Sequence, residues 1–231
     1  MTVSAGTFFL SQVNPPRADL HAAPGQFLLA TPPTLDPYLP RIVWPFHLRA
    51  ETVDSVLLPP DATNWARSEQ LQLRGPYGHP FTIPDQPLRA IVLAADTLGG
   101  AQMLTLIEAL VARECEVTVL CAPDPWIEGW LPPEVEYREV EQVLTASADL
   151  VNWADRLYAC GSPALYDALY DMAHTARLAF AHGWGEILCR NLPMPCGIGL
   201  CYLCACKTRR GVILNCKEGP VIDLADWQSE A

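Results

Sequence analysis

The sequence predicts an α+β multidomain chain: an N-terminal antiparallel β-barrel, a central doubly wound α/β domain and a small C-terminal unit organised around cysteines. Three features of its 231 residues predict this. Fourteen of the 22 prolines fall in the first 88 residues, a strand–helix–strand pattern starts at Arg89, and five of the nine cysteines are packed between Cys196 and Cys216. The expected units are 1–88, 89–183 and 184–231.

In the first unit, prolines recur from Pro15 to Pro87 too closely for long helices, because each ring fixes φ and removes a backbone donor. The apolar stretches Gln26–Ala30, Ile42–Leu48, Val53–Leu58 and Leu71–Arg74 lie between these breakers, as short antiparallel strands do. The texture changes at Arg89. Ala90–Ala95 reads as a fully buried strand, and Met103, Leu104, Ile107, Leu110 and Val111 recur at helical spacing within a helix expected over Gln102–Arg113. Glu116–Cys121 reads as a second strand, and strand, helix and strand within about 30 residues make a right-handed βαβ unit with a parallel sheet. Arg156–Ala159 ends a third strand. Ser162 and Pro163 then supply an N-cap and a first-turn proline for a helix through about Thr175.

Lys plus Arg total 15 against 26 for Asp plus Glu, a net charge of −11. That balance repels phosphate backbones and anionic lipid heads, so no nucleic-acid or membrane partner is expected. No apolar run approaches the roughly 20 residues of a membrane helix. The opening MTVSAGTFFLSQ lacks the basic region of a secretory signal, and the expectation is a cytoplasmic protein. In that compartment crowded cysteines point to metal or redox chemistry, because structural disulfides are kept reduced.

The segment Met194–Cys216 reads MPCGIGLCYLCACKTRRGVILNC. Cys196, Cys201 and Cys204 form C-x4-C-x2-C, and Cys216 follows after eleven intervening residues, which is plant-type [2Fe-2S] spacing. Three thiolates on one loop reach both irons only if the backbone curls tightly, and Gly197 and Gly199 permit that curl. The competing reading is structural zinc on four thiolates, in a chain that acts as a non-catalytic binding or scaffold protein. Zinc ribbons usually present two C-x2-C knuckles, however, and here the second is missing. Cys206 and Cys189 read as small buried hydrophobes, with Cys206 expected beside Cys204 by strand alternation. The five histidines show no pairing at metal-ligand spacing.

Pro195-Cys196-Gly197-Ile198-Gly199-Leu200-Cys201 and Cys216-Lys217-Glu218-Gly219-Pro220-Val221 resemble the two cluster-binding segments of the electron-transfer subunit of bacterial dihydroorotate dehydrogenase, a branch of the ferredoxin-reductase-like flavoproteins. The family's four ligands fall on Cys196, Cys201, Cys204 and Cys216. Gly75-Pro76-Tyr77-Gly78-His79-Pro80-Phe81 is similar to the family's turn between barrel and α/β domain. Tyr158-Ala159-Cys160-Gly161-Ser162-Pro163 resembles a motif whose cysteine lies near the nicotinamide ring in the relatives.

Three phosphate contacts of the family are altered. Its Arg-Pro-x-Ser strand, which holds the FAD pyrophosphate, falls on Trp44-Pro45-Phe46-His47, where a neutral indole replaces the guanidinium fork. Its Gly-Thr pair has no counterpart in the stretch Pro59–Gln70. Its glycine-rich nucleotide loop falls on Ala95-Asp96-Thr97-Leu98-Gly99-Gly100-Ala101-Gln102, where the Asp96 carboxylate competes with an anion at a helix N-terminus. The expectation is a degenerate FAD site near Trp44–His47, and a degenerate nucleotide site near Gly99, Gly100, Cys160 and Gly161 that takes no NAD. The resemblance implies an iron-sulfur electron-transfer subunit of the pyrimidine-biosynthetic type. It would pass single electrons between the flavin of a catalytic, dihydroorotate dehydrogenase-like partner and an acceptor such as a ferredoxin or a second redox subunit.

Overall fold

The computed structural model of the chain describes residues 2–4, 9–12, 22–31, 40–49, 52–58, 72–123, 125–176 and 181–228. Six strands make an antiparallel sheet: β1 (Thr2–Ser4), β2 (Phe9–Gln12), β3 (Phe27–Thr31), β4 (Arg41–Arg49), β5 (Thr52–Leu58) and β6 (Gln72–Tyr77), in the order β1-β2-β5-β4-β3-β6. Its two strand prolines stand where a missing N–H does least harm. Pro45 borders a register irregularity in the β4–β5 pairing, and Pro76 lies in the edge strand β6. The stretch 59–70, where the family's Gly-Thr pair would fall, lies outside the described residues, as does Leu71.

The second sheet has the order β14-β11-β10-β7-β8-β9. Strands β7 (Arg89–Ala94), β8 (Glu116–Cys121), β9 (Glu136–Glu139), β10 (Arg156–Cys160) and β11 (Gly185–Leu188) are parallel, while β14 (Val221–Asp223) runs antiparallel to β11. Helices α1 (Thr97–Val111), α2 (Pro125–Glu128), α3 (Val143–Ser147) and α4 (Pro163–Ala176) follow successive strands. Alternation along β7 feeds two cores. Ala90, Val92 and Ala94 join α1 in one, whereas Ile91 and Leu93 join Tyr166, Leu169 and Ala173 of α4 in the other. The expected cap of α4 is present, Leu165 N–H donating to Ser162 Oγ at 3.3 Å.

Helix α1 starts five residues before the expected Gln102. The glycines Gly99 and Gly100 that read as loop are helical because the turn is pressed against its neighbours. A Cβ on Gly100 would fall 2.9 Å from Ile127. This helix is buried nearly all round, Gln102 and Thr105 included, because β4 of the first sheet lies against it on the side away from β7 and β8. One apolar core therefore joins Phe27, Leu29, Trp44 and Phe81 to α1 and to one face of the parallel sheet.

The remaining elements are the hairpin β12 (Ala205–Thr208) and β13 (Gly211–Leu214) and the single turn α5 (Asn215–Glu218). The parallel sheet crosses the boundary expected at 183/184, since β11 and β14 both belong to it. Among the described residues no helix is long and apolar enough to cross a membrane.

Candidate metal centre

The four predicted cysteines come together as two pairs. Cys196 and Cys201 sit on the loop after β11 with their sulfurs 3.3 Å apart. Cys204, which precedes β12, and Cys216 in α5 are likewise 3.3 Å apart. The first pair faces outward, Cys201 being exposed, and the second is buried. Gly199 N–H bridges the pairs by donating to Cys216 Sγ at 3.2 Å. Among the described residues no three His, Cys, Asp or Glu side chains are grouped so as to hold a single ion.

Local backbone geometry explains how three cysteines in nine residues fit one loop. Gly197 and Gly199 have φ of +71° and +78°, the left-handed region that a Cβ disfavours. A Cβ on Gly197 would also press on the Tyr77 ring at 3.0 Å. The loop's curl aims amides at sulfur. Burial pushes the Cys196 thiol up, but the N–H groups of Cys201, Ile198 and Leu200, with the Cys201 thiol, outweigh it and hold Cys196 down to about 6. Burial and then the neighbouring Cys204 push Cys216 up to about 12. Four sulfurs, three of them accepting hydrogen bonds, are a suitable donor set for iron, whose properties respond to such bonds.

The site is tied to both sheets. Asn215, next to Cys216, donates from Nδ2 to Cys189 O at 2.8 Å and approaches Met194 Sδ at 3.5 Å. The two resembling motifs meet here: His79 N–H donates to Gly219 O, and a Cβ on Gly78 would fall 2.4 Å from Pro220. With φ of +85° and no space for a side chain, only glycine suits position 78. Cys206 lies away from Cys204. It is buried in the second core with Cys189, Ile213 and Trp227, whereas Cys204 belongs to the first; Cys204 precedes β12, which begins at Ala205, so strand alternation does not extend to it.

Around Cys201 the surface is apolar. Ile198, Leu200, Tyr202, Leu203 and Val212 account for five of the six exposed large hydrophobics among the described residues, and Leu200 is 73% exposed. Such a concentration is uncommon on a solvent-facing surface.

The residues expected at the degenerate sites have definite places. Gly99, Gly100, Cys160 and Gly161 lie at the C-terminal ends of β7 and β10, where Ala95 N–H donates to Cys160 O at 3.0 Å. Trp44 and Pro45 are buried in β4, and Phe46 and His47 continue that strand. Arg190, just after β11, belongs to none of the motifs quoted above. Its side chain pairs with Asp96 and donates to Gln102 Oε1 at 3.2 Å. The available signal was a lone cation after a short strand, opening a run from 190 to 217 that contains no acid.

Residues 191–227 match the family model described as the iron-sulfur cluster binding domain of dihydroorotate dehydrogenase B. The chain is 29% identical to the dihydroorotate dehydrogenase B (NAD(+)) electron transfer subunit of Desulforamulus reducens, over 69% of this chain and 65% of that one. It is 22% identical to the subunit of the same name from Clostridium perfringens, over 67% and 65%. The match thus spans just under two thirds of the curated relatives' length. Among solved structures, the NADH-dependent reduced ferredoxin-NADP oxidoreductase described for flavin-based electron bifurcation superposes with a TM-score of 0.76, at 15% identity, over 98% of this chain and 87% of that one. A ferredoxin-NADP+ reductase from Plasmodium falciparum gives 0.54 at 12% identity, over 74% and 84%. At these identities the structural likeness speaks to fold alone. The chain thus has a ferredoxin-reductase-like fold ending in an iron-sulfur cluster binding domain, and it resembles the electron-transfer subunits of dihydroorotate dehydrogenase B.

Proposed function

We propose that this chain is an iron-sulfur electron-transfer subunit of the dihydroorotate dehydrogenase B type, with a [2Fe-2S] cluster held by Cys196, Cys201, Cys204 and Cys216. The observation that carries the reading is the division of the four sulfurs into two pairs. A tetrahedral zinc at about 2.3 Å from each sulfur would draw all four into mutual distances of roughly 3.8 Å. Two pairs would suit two irons, each held by two thiolates, Cys196 with Cys201 and Cys204 with Cys216. The cluster would accept and return one electron at a time.

The chain's own residues then do three things. The amides of Gly199 and of Ile198, Leu200 and Cys201 donate to cysteine sulfur and stabilise negative charge there. Burial of Cys204 and Cys216 keeps water from the inner pair. The apolar collar around Cys201 offers a face for a partner, which we assign to a catalytic subunit carrying a flavin, with a ferredoxin or second redox subunit as the acceptor. The division into a barrel at 1–88, a doubly wound domain at 89–183 and a cluster unit at 184–231 belongs to the same reading, with β11 and β14 shared between the last two.

Anaerobically purified protein is expected to hold two irons and two sulfides per chain, to be red-brown, and to give an EPR signal when reduced. A colourless protein with one zinc per chain would sink the proposal.

A further inference from the structure

We infer that the nucleotide-side end of this chain is a closed, self-neutralised joint that takes neither FAD nor NAD, so that each chain stores a single electron. The electron count rests on the cluster reading above; the closure does not.

In an open parallel sheet a dinucleotide binds beyond the C-terminal ends of the strands, where the chain reverses direction. The order β14-β11-β10-β7-β8-β9 puts that point between β7 and β10. A pyrophosphate there needs free amides at the start of α1 and a gap between α1 and β10. Among the described residues the Gly99 amide is already taken and the gap is closed. Asp96 caps α1, its Oδ1 accepting from Gly99 N–H at 2.7 Å, so the chain's own carboxylate holds the place an anion would take. The other carboxylate oxygen pairs with Arg190, whose side chain is 10% exposed and whose charge is thereby balanced inside the protein. Across the gap, Gly161 N–H donates to Tyr166 Oη at 2.8 Å, and that hydroxyl donates to Leu188 O at 2.7 Å. A Cβ on Gly99 would stand 3.1 Å from Cys160 O and 3.4 Å from its Sγ, so helix and strand already touch.

The flavin side is filled as well. Trp44 stands at the position of the family's phosphate-binding arginine, but it is 8% exposed and packs on Phe27 with ring centroids 5.8 Å apart. Strand β4 lies against α1, and Phe81 meets Tyr158 edge-on at 5.7 Å. The two sheets share one apolar core across the space between them. A diphosphate brought there would lose its hydration and meet a neutral indole.

The consequence is chemical. NADH gives up two electrons together with a proton as hydride, and a flavin is the usual group that accepts the pair and releases it singly. Without a flavin of its own, this chain gains one electron from a one-electron donor or from a partner's flavin, and the acceptor takes that same electron.

The test uses the full chain, prepared anaerobically. It is incubated with excess FAD, desalted and acid-precipitated, and the supernatant is read for flavin. No retained flavin is expected, nor any bleaching by NADH, while dithionite titration takes up one electron per chain. Flavin near one per chain, or bleaching by NADH alone, overturns the inference. Flavin retention is read the same way with or without iron, and iron and sulfide counts on the same sample judge the cluster reading separately. A second measurement addresses Asp96. Pyrophosphate is expected to raise the Tm of Asp96→Gly, in which Gly99 N–H and Arg190 become available to it, and to leave the parent protein unchanged. A variant that pyrophosphate ignores, or a parent stabilised equally by pyrophosphate, removes Asp96 from the anion's place.

Discussion

Replacing Asp96 by alanine is expected to cost far more stability than replacing Arg190 by methionine, although each breaks the same ion pair. The two ends differ in burial: 49% of the Asp96 side chain is exposed, against 10% of Arg190. Asp96→Ala leaves a buried guanidinium that still donates to Gln102 Oε1 but has lost its counter-charge. Breaking a buried pair in this way costs about 3 kcal/mol or more. The N-cap contact to Gly99 is lost too, worth about 1 kcal/mol, so a total of about 4 kcal/mol is expected. Arg190→Met leaves a carboxylate that water reaches and that still caps α1, at about 1 kcal/mol. At roughly 2–4 °C per kcal/mol for a chain of this size, Asp96→Ala lowers Tm by about 12 °C and Arg190→Met by about 3 °C. Thermal melts followed by circular dichroism read both. The double variant is expected to melt above Asp96→Ala alone, because no unpaired charge remains. Equal losses from the two single changes, or a double variant that melts lowest of the three, would refute this reasoning.

Other outcomes follow from the same geometry. Serine at Cys196, Cys201, Cys204 or Cys216 is expected to lower iron content and abolish the reduced-state EPR signal, whereas Cys206→Ala and Cys189→Ala keep both; metal analysis and EPR decide. In iron-free protein at pH 7, iodoacetamide is expected to modify Cys196, held down to about 6, well before Cys216, pushed up to about 12. Peptide mass mapping orders the two. Because the folded Cys196 value lies below its ordinary 9.0, its contribution to stability is complete above pH 9 and disappears as pH falls through about 6. Urea melts of the iron-free protein across that window read the slope, which Cys196→Ala is expected to flatten. Trp44→Ala opens the shared core beside Phe27 and is expected to cost about 3–5 kcal/mol. A loss under 1 kcal/mol in a urea melt would mean that the indole is not packed as described.

Local signals in the chain suffice where one period or one spacing carries them. Glu116–Cys121 is a strand with its expected limits, and Arg156–Cys160 and Pro163–Ala176 lie within a residue or two of theirs. The start of α1 was misplaced because Gly99-Gly100 reads as a loop to local propensity, whereas contact with β10 and Ile127 makes both helical. Cys206 was set beside Cys204 by counting along a strand. The hairpin's orientation on the second core, which no count of residues contains, turned it away.

By itself the sequence determined that four cysteines crowd into the short segment 196–216 and that a parallel α/β unit begins at Arg89. Those are matters of neighbouring residues, where chain geometry leaves few choices. Tertiary structure alone decided which sulfurs pair, that β14 returns to the sheet beside β11, and that Arg190, 94 residues from Asp96, neutralises it. These contacts join residues whose separation along the chain says nothing of their distance. They form only when burial of the two cores brings distant segments together and leaves each buried charge and amide to find a partner there.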